Sequence, residues 1–297
     1  MKIHDRDSFY KYFTAGTLRK ILETRRFRWS SPRVFNDPFD HLFQISMEDD
    51  PRSLREWFIS ECERNIFGAE EPDIPHPCMH SGMLLMLRKY SPRLSRSEVL
   101  SELGHGFDEG VIRSEEYLRS VKRTWEEAIR TARIFCVSEE PNNFLMWAHY
   151  AGQHSGAVVE IRCIEDLDTP LCAARKVEYR TRMPKLGSNR EILLNALGLA
   201  PEPSNEKLYH DLAFVKSDHW SYENEWRCIT YRNEEGLYSD YKFYPQEIAT
   251  VYLGCRIQAD DKIEILSLLR SGFAHARVSL MQVDYSEYRL NPIEVER

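Results

Sequence analysis

The feature that most constrains the fold is a change in the spacing of apolar residues along the chain. Between residues 51 and 132 the apolar side chains recur at helical intervals, and no strand-like alternation appears. From residue 133 onward, short runs such as "RIFCVS" and "GAVVEIRC" are rich in the β-branched and aromatic residues typical of strands. One purely helical stretch inside a strand-rich chain predicts a helical insertion into a sheet domain.

We therefore predict an α+β fold, in which a mixed, mostly antiparallel sheet carries an all-helical insertion. Residues 1–50 would form the N-terminal strand–helix–strand part of the core, residues 51–132 the insertion, and residues 133–297 the mixed-sheet remainder of the same core domain. The strands do not alternate regularly with helices, which argues against a doubly wound parallel sheet.

The composition narrows the classes of function. A net charge of -7 argues against a protein built to coat nucleic acid, although 40 Lys and Arg leave room for a local basic groove. No apolar run is long enough to span a membrane, and the N-terminus lacks the apolar core of a secretory signal. The seven cysteines are odd in number and contain no C-x-x-C motif, which is typical of reduced thiols. We expect a cytoplasmic protein with no membrane partner.

The stretch "WSYENEWRCI", residues 220–229, holds the best candidates for chemistry. On an extended segment, Glu223 and Glu225 would point to the same face. Two carboxylates at close range separate their pKa values, so that one can act as a base while the other stays ionised. Arg227 would share that face and neutralise one of them, while Trp220 would supply part of an apolar wall. The alternative is a salt-linked strand on the surface.

Two further stretches present polar side chains. "LMWAHYAGQHSGAVVEI" offers His149 and Tyr150 as groups at the edge of a cleft. His149 and His154 lack further ligands at familiar spacing, so we predict no metal site there. "SSPRVFNDPFD" places Asn36 and Asp37 before a proline, either as an ordinary turn or as a turn that holds polar groups rigidly.

Taken in order, these stretches resemble a known family. The elements "FNDPFD", "MWAHYA" and W-x-Y-E-x-E-W-R follow one another in the chain. Together they resemble the bacterial domain-of-unknown-function family numbered 2971. The resemblance covers residues 8–44 and 134–255. It supplies no settled activity.

The layout is also similar to that of ADP-ribosyltransferases, which hold NAD in a split antiparallel sheet. From the first strand, one of Tyr10, Lys11 and Tyr12 would contact the nicotinamide ribose. From the second strand, Ser30 or Ser31 would support the nicotinamide ring. The first strand carries Tyr-Lys-Tyr where such enzymes usually carry His or Arg.

The same resemblance assigns the late glutamates. Glu225 would bind the ribose hydroxyl and steady the oxocarbenium-like state, and Glu223 would be the upstream acid of the E-x-E pair. We take Glu225, Glu223 and His149 as the catalytic candidates. The other candidates for binding NAD, beside the residues of the first two strands, are Asn36, Asp37, Tyr150, Trp220 and Arg227.

Three functions follow. The first is an ADP-ribosyltransferase-like enzyme that uses NAD and acts on a protein or nucleic-acid acceptor, of a toxin or phage-defence kind. The second is a Mg²⁺-dependent nuclease or phosphoryl-transfer enzyme. The third is a non-catalytic module that binds a ligand or a partner in an aromatic cleft. The residues that the second function would use are Asp37, Asp40, Lys216, Glu223 and Glu225.

Overall fold

The computed structural model describes residues 2–46, 50–201, 205–233 and 235–295. It confirms the predicted α+β class. The helices are α1 Ala15–Thr24, α2 Pro51–Phe67, α3 Met79–Tyr90, α4 Arg96–Thr131, α5 Phe144–Tyr150, α6 Asn189–Ala196, α7 Asn205–Ala213 and α8 Ala259–Gly272. The strands are β1 Ser8–Phe13, β2 Arg26–Ser30, β3 Gln44–Ser46, β4 Ala132–Ser138, β5 Ala157–Arg162, β6 Arg175–Lys176, β7 Glu178–Arg180, β8 Lys185–Ser188, β9 Val215–Ser217, β10 Glu225–Tyr231, β11 Tyr238–Lys242, β12 Ile248–Leu253, β13 Arg277–Val283 and β14 Leu290–Glu294.

The chain divides into two compact units. The first consists of Met1–His41, Ala128–Arg182 and Phe214–Arg297, and the second of Leu42–Glu127 and Met183–Ala213. Residues 183–213, which were predicted to belong to the sheet domain, are part of the second unit. The reason is packing, because Leu193 of α6 and the following Leu197 and Leu199 contact the apolar cluster of α2 and α3. Periodicity within a segment carries no information about which cluster its apolar face joins.

The first unit is built on one large sheet, which has ten strands within the part of the chain that the structure describes. The strand order is β11-β2-β4-β1-β5-β12-β13-β14, with β10 added to β4 and β6 added to β10. Every pairing in this sheet is antiparallel except that of β12 with β13. The mixed, mostly antiparallel sheet is thus as predicted.

Pairing is interrupted between β1 and β4. The two strands share one registered pair, Tyr10 with Ser138, whereas β4 pairs with β10 over its whole length. At this interruption the ammonium of Lys11 donates a hydrogen bond to the Cys136 carbonyl. A side chain therefore satisfies a backbone acceptor that a continuous ladder would have paired with an amide.

The two faces of the sheet bury different side chains. In β1, Phe9 and Phe13 point to the face covered by α1 and α8, as alternation along a strand requires. Tyr12 points to the opposite face, where Trp147 of α5 meets it edge-on with ring centroids 5.8 Å apart. Each face thus has its own core, and the candidate residues of β1 are divided between them.

The second unit is mainly helical. Asp50 caps α2 by accepting hydrogen bonds from two amides of the first turn, and Pro51 occupies the first helical position. Helix α4 begins at Arg96 and contains Gly104 and Gly106. The glycines inside it cost only about 1 kcal/mol each in an otherwise favourable helix. Within the described residues, no helix combines the length and apolar character needed to cross a membrane.

Candidate functional site

One row of side chains crosses the interruption in the sheet. Tyr10 of β1 lies opposite Ser138 of β4, and Ser138 lies opposite Glu225 of β10. Opposed residues of antiparallel strands project to the same face, so these three side chains share the face that α5 covers. Three adjacent strands span two strand spacings, or roughly 10 Å. The sheet therefore brings the N-terminal strand and the late glutamate onto one surface.

The segment before β10 turns sharply instead of running as a strand. Ser217 caps a 3₁₀ helix over Asp218–Glu223, and Asn224 then adopts a left-handed conformation with φ 44°. Asparagine tolerates this conformation better than most residues. The prediction of one extended segment for Glu223 and Glu225 is therefore wrong, because a turn separates the two glutamates. Both carboxylates are nevertheless buried and lie close to the same lysine.

Lys216 of β9 joins the two glutamates. Its Nζ atom lies 2.5 Å from Glu223 Oε2 and 3.1 Å from Glu225 Oε2. The same ammonium lies 4.9 Å from the ring centroid of Trp220, within the range of a cation–π contact. Lys216 is itself buried, so the two carboxylates share one desolvated cation.

Arg227 supplies the second cation. Its guanidinium donates to both oxygens of Glu225, at 2.8 and 3.0 Å, and to both oxygens of Asp40, at 2.9 and 2.6 Å. His41 Nδ1 lies 2.8 Å from Asp40 Oδ1. These side chains are almost fully buried, so the guanidinium pairs with two carboxylates out of contact with water.

The buried charged cluster consists of Asp40, His41, Lys216, Glu223, Glu225 and Arg227. Tyr150 connects this cluster to the surface. Its hydroxyl donates a hydrogen bond to Glu223 Oε1 at 2.6 Å and accepts one from Asn36 Nδ2 at 3.1 Å. Tyr150 is half-buried, whereas Asn36 is exposed. Of the two glutamates, Glu223 therefore has the hydrogen-bonded link that leads outward.

The two glutamates differ in pKa. Burial and the nearby negative charge of Glu225 raise the pKa of Glu223 above its usual value. Burial also acts on Glu225, but the guanidinium of Arg227 and the ammonium of Lys216 outweigh it and lower its pKa to about 2. Environments that separate the pKa values of paired carboxylates assign one to proton transfer and the other to permanent charge.

Most of the late candidates converge at this cluster. The residues among the catalytic and NAD-binding candidates that take part in it are Asn36, Tyr150, Trp220, Glu223, Glu225 and Arg227. Asp40 and Lys216, which the Mg²⁺ hypothesis had named, are in it as well. Tyr10 lies on the same face through the strand register.

The early candidates are mostly engaged elsewhere. Lys11 bonds a backbone carbonyl and lies over the Phe135 ring, on the α1 and α8 side. The Tyr12 hydroxyl donates to the Glu140 carbonyl. Ser31 caps a 3₁₀ turn and donates to the Ile129 carbonyl, while Ser30 faces the same side of the sheet as its partner Ile134. The sequence did not predict the contacts of Lys11, Tyr12 and Ser31, because each is made with a backbone carbonyl far away in the chain.

Two other candidates are near the cluster without bonding to it. The exposed ring of His149 lies beside Tyr222, with centroids 6.2 Å apart. Asp37 is buried and accepts the Phe39 amide through Oδ1, as in an ordinary turn. Asp37 is therefore an ordinary turn residue, which is one of the two interpretations of "FNDPFD". Asp40 of the same motif is the residue whose carboxylate belongs to the cluster.

Sequence reasoning missed three members of the site. The Tyr179 hydroxyl accepts the Glu225 amide at 2.8 Å, and the Ser138 hydroxyl donates to the Glu223 carbonyl at 2.7 Å. His41 lies against Asp40. No local signal marks Tyr179, whereas His41 directly follows the predicted turn "FNDPFD" and could have been noticed there.

The donor set does not suit Mg²⁺. Each carboxylate of the cluster already pairs with Lys216 or Arg227, and a divalent cation would have to displace them. Among the described residues, no group of three His, Cys, Asp or Glu side chains is arranged to hold a metal ion. The Mg²⁺-dependent hypothesis therefore finds no support in the arrangement of these side chains.

The motifs at this site identify the family segment. Residues 146–228, which run from the start of "MWAHYA" through "WSYENEWR", match one family model. That family is DUF2971, described as a protein of unknown function. The match confirms the expected family resemblance and includes Tyr150, Lys216 and both glutamates. No curated protein and no solved structure matches the chain significantly.

Proposed function

We propose that this chain is an NAD-dependent ADP-ribosyltransferase whose centre is the Glu223–Glu225 pair. One observation carries the proposal. Lys216 holds the two carboxylates together at the end of the row that Tyr10 and Ser138 form across the interrupted sheet. This arrangement supports the layout that the resemblance to ADP-ribosyltransferases implies.

In the proposed reaction NAD is the substrate. The bond between C1′ of the nicotinamide ribose and the pyridinium nitrogen breaks, and nicotinamide leaves with the bonding electrons. A nucleophile of the acceptor bonds C1′ and gives up its proton. Such chemistry needs a carboxylate near C1′ and a base for that proton.

The two glutamates suit these two requirements. Glu225 is held ionised by Arg227 and Lys216, so it would supply fixed negative charge beside a developing oxocarbenium ion. Glu223 has a raised pKa and fewer bonds to cations, so it would take the proton of the nucleophile. Tyr150 would orient Glu223 through its hydroxyl.

The test is release of nicotinamide from NAD by the purified protein. We expect Glu225→Gln and Glu223→Gln each to lower the rate by about 100-fold or more. The matched control is Glu139→Gln, because the Glu139 carboxylate bonds Lys176 and the Trp226 indole instead of the cluster. Full activity in both cluster variants, or no NAD binding and no turnover with protein and nucleic-acid acceptors, contradicts the proposal.

The acceptor is also a proposal. The resemblance favours a protein or nucleic acid, as in toxins and phage-defence effectors. Incubation of the protein with labelled NAD and a cell lysate, followed by nuclease or protease digestion, separates the two classes of acceptor. Label that persists after nuclease and disappears after protease identifies a protein.

A binding module is the second candidate, and one observation favours it. Arg227 and Lys216 already neutralise both glutamates, which suits a fixed architecture as well as catalysis. The helix that carries Tyr150 also exposes Phe144 and Leu145, whose side chains would contact a ligand or partner. NAD that raises the melting temperature without any release of nicotinamide would favour this candidate.

A further inference from the structure

Helix α3 of the second unit carries an exposed apolar stripe. The buried side chains of this helix are Ser81 and Leu84, and Leu84 packs into the apolar cluster that α3 shares with α2. On the opposite side of the helix, four apolar residues lie within about 60° of one another around the axis. Their exposed fractions are 74% for Met79, 55% for Met83, 59% for Met86 and 45% for Tyr90. We call these four residues the α3 stripe.

A stripe of this kind indicates a contact surface. A helix at the surface of a globular protein normally buries one apolar face and turns polar side chains toward the solvent. Helix α3 instead has large apolar side chains on its outer face as well as in its own core. A single exposed apolar residue is ordinary, whereas a continuous row of them marks an interaction site. The outer face of α3 is therefore suited to contact with another molecule.

The spacing of the stripe favours a helix as the partner. Along the chain the four residues follow one another at intervals of four, three and four positions. These are the intervals between the d and a positions of a heptad, at which one helix inserts its side chains between those of another. Such a narrow seam matches a single helix packed alongside α3 at a small crossing angle. A lipid surface places no such requirement on spacing.

The charges around the stripe favour an acidic partner. Residues 74–95 contain no Asp or Glu, although the whole chain has a net charge of -7. Lys89 takes a g position, which flanks the seam, and Arg93 follows the helix directly. Arg88 is used within the unit, because its guanidinium donates to the Asn65 carbonyl at 2.8 Å. Two copies of α3 packed together would bring no carboxylate to these cations, so the charges argue against self-pairing.

We propose that the α3 stripe binds an amphipathic helix of another protein, whose apolar seam is flanked by glutamate or aspartate. The apolar seam of the partner would pack between the three methionines and Tyr90, and its carboxylates would lie beside Lys89 and Arg93. Methionine is unbranched and flexible, so the stripe can adapt to partner seams of different shape. Three helical turns form an interface below the standard size, so we expect an affinity in the micromolar range.

The experiment compares two synthetic peptides of about three heptads, which both carry leucine at the a and d positions. One has glutamate at every e and g position, and the other has lysine there. Repulsion between like charges keeps each peptide from pairing with itself. Binding of the labelled peptides to the full chain is followed by fluorescence anisotropy at pH 7.

The two peptides should differ in affinity. We expect the glutamate peptide to bind with a Kd of about 10–100 μM and the lysine peptide to bind at least about tenfold more weakly. Equal affinity for both peptides, or no saturable binding of the glutamate peptide, overturns the proposal.

Substitutions in the stripe locate the contact. Met83→Gln and Met86→Gln should each weaken binding of the glutamate peptide by about fivefold or more, because each removes an apolar side chain from the seam. Both positions are exposed, so the melting temperature should stay close to that of the wild type. Leu85→Gln is the matched control, because Leu85 is an exposed apolar residue of the same helix outside the stripe. Equal weakening in all three variants, or in none, overturns the proposal.

Gly82 allows a test of the charges. It takes the g position one heptad before Lys89, and a methyl group added there would meet no atom within 4 Å. We expect Gly82→Lys to tighten binding of the glutamate peptide and Gly82→Glu to weaken it, by about threefold each. Both effects should shrink in about 1 M salt. The same affinity in the two variants overturns the proposal.

Two measurements test the other occupants of the stripe. Sedimentation equilibrium shows whether the wild type forms a dimer that Met83→Gln dissociates, in which case the occupant is a second copy and the proposal is overturned. Co-sedimentation with phosphatidylserine vesicles tests a lipid surface. Vesicle binding that is lost in Met83→Gln, without binding of the glutamate peptide, also overturns the proposal. A wild type that shows neither behaviour and binds the glutamate peptide supports it.

Discussion

Arg227 binds both carboxylate oxygens of Asp40, at 2.9 and 2.6 Å, and so joins β10 to a turn 187 residues earlier in the chain. Both side chains are buried. Asp40→Asn would remove the charge that helps to compensate the desolvated guanidinium. We predict that it lowers the free energy of unfolding by about 3 kcal/mol, measured by urea denaturation at pH 7.

Asp240→Asn is the matched control for this prediction. Asp240 also pairs with an arginine, Arg28, but both of those side chains are well exposed. A surface pair contributes at most about 1 kcal/mol. A loss for Asp40→Asn as small as that for Asp240→Asn would show that the buried bridge is not essential to the fold.

The sequence could predict local structure better than this long-range pairing. The aromatic residues of "SFYKYF" predict a strand, which is β1, and of the two candidate caps Thr14 and Thr17 it is Thr14 that caps α1. Hydrophobic spacing within a segment is a local property, so such elements are readable from one sequence. The pairing of Asp40 with Arg227 depends on how distant strands register, and no local pattern encodes that.

The candidate site was predictable in composition but not in geometry. "WSYENEWR" indicated that Glu223 and Glu225 act together, yet the left-handed Asn224 between them replaced the expected extended segment. Lys11 was one of three candidates on β1 for the contact with NAD, but its ammonium donates to the Cys136 carbonyl at the interruption between β1 and β4. In both cases a single backbone turn or strand end decided the direction of a side chain.

The acid dependence of stability should reveal Glu225. Its pKa is lowered to about 2 in the folded protein, so its ionised form stabilises the fold above its unfolded pKa of about 4.5. That stabilisation is lost as the pH falls from about 4.5 toward 2. We predict that about 2 kcal/mol of the loss between pH 5 and pH 3 disappears in Glu225→Gln, measured by urea denaturation. The exposed Glu287→Gln should leave the curve unchanged, and parallel curves for wild type and Glu225→Gln would rule the prediction out.

Tyr150 should tune the protonation of Glu223. Its hydroxyl donates to Glu223 Oε1 at 2.6 Å, and this bond favours the ionised carboxylate. We predict that Tyr150→Phe raises the pKa of Glu223 further, as followed by the carboxyl ¹³C shift in labelled protein. If Glu223 is the proposed base, the same variant moves the acidic limb of the pH–activity profile to higher pH.

The control for Tyr150→Phe is the same substitution at Tyr222, in the 3₁₀ helix Asp218–Glu223. Tyr222 accepts a bond from Asn143 through its backbone carbonyl, so Tyr222→Phe keeps that contact. We expect the Glu223 titration to be unaffected there. A titration that is identical in Tyr150→Phe and wild type would show that the short hydroxyl bond has no electrostatic effect.

Glu247 should give the opposite pH dependence from Glu225. Burial raises its pKa to about 7 in the folded protein, so folding favours the protonated form. Below its unfolded pKa of about 4.5 the group is neutral in both states and has no effect. As the pH rises from 4.5 through 7, the folded protein loses up to about 3 kcal/mol relative to a variant that cannot ionise. Glu247→Gln should therefore match the wild type near pH 4 and exceed its unfolding free energy at pH 8. Urea denaturation at pH 4, 6 and 8 checks this, and a constant difference across the three values would contradict it.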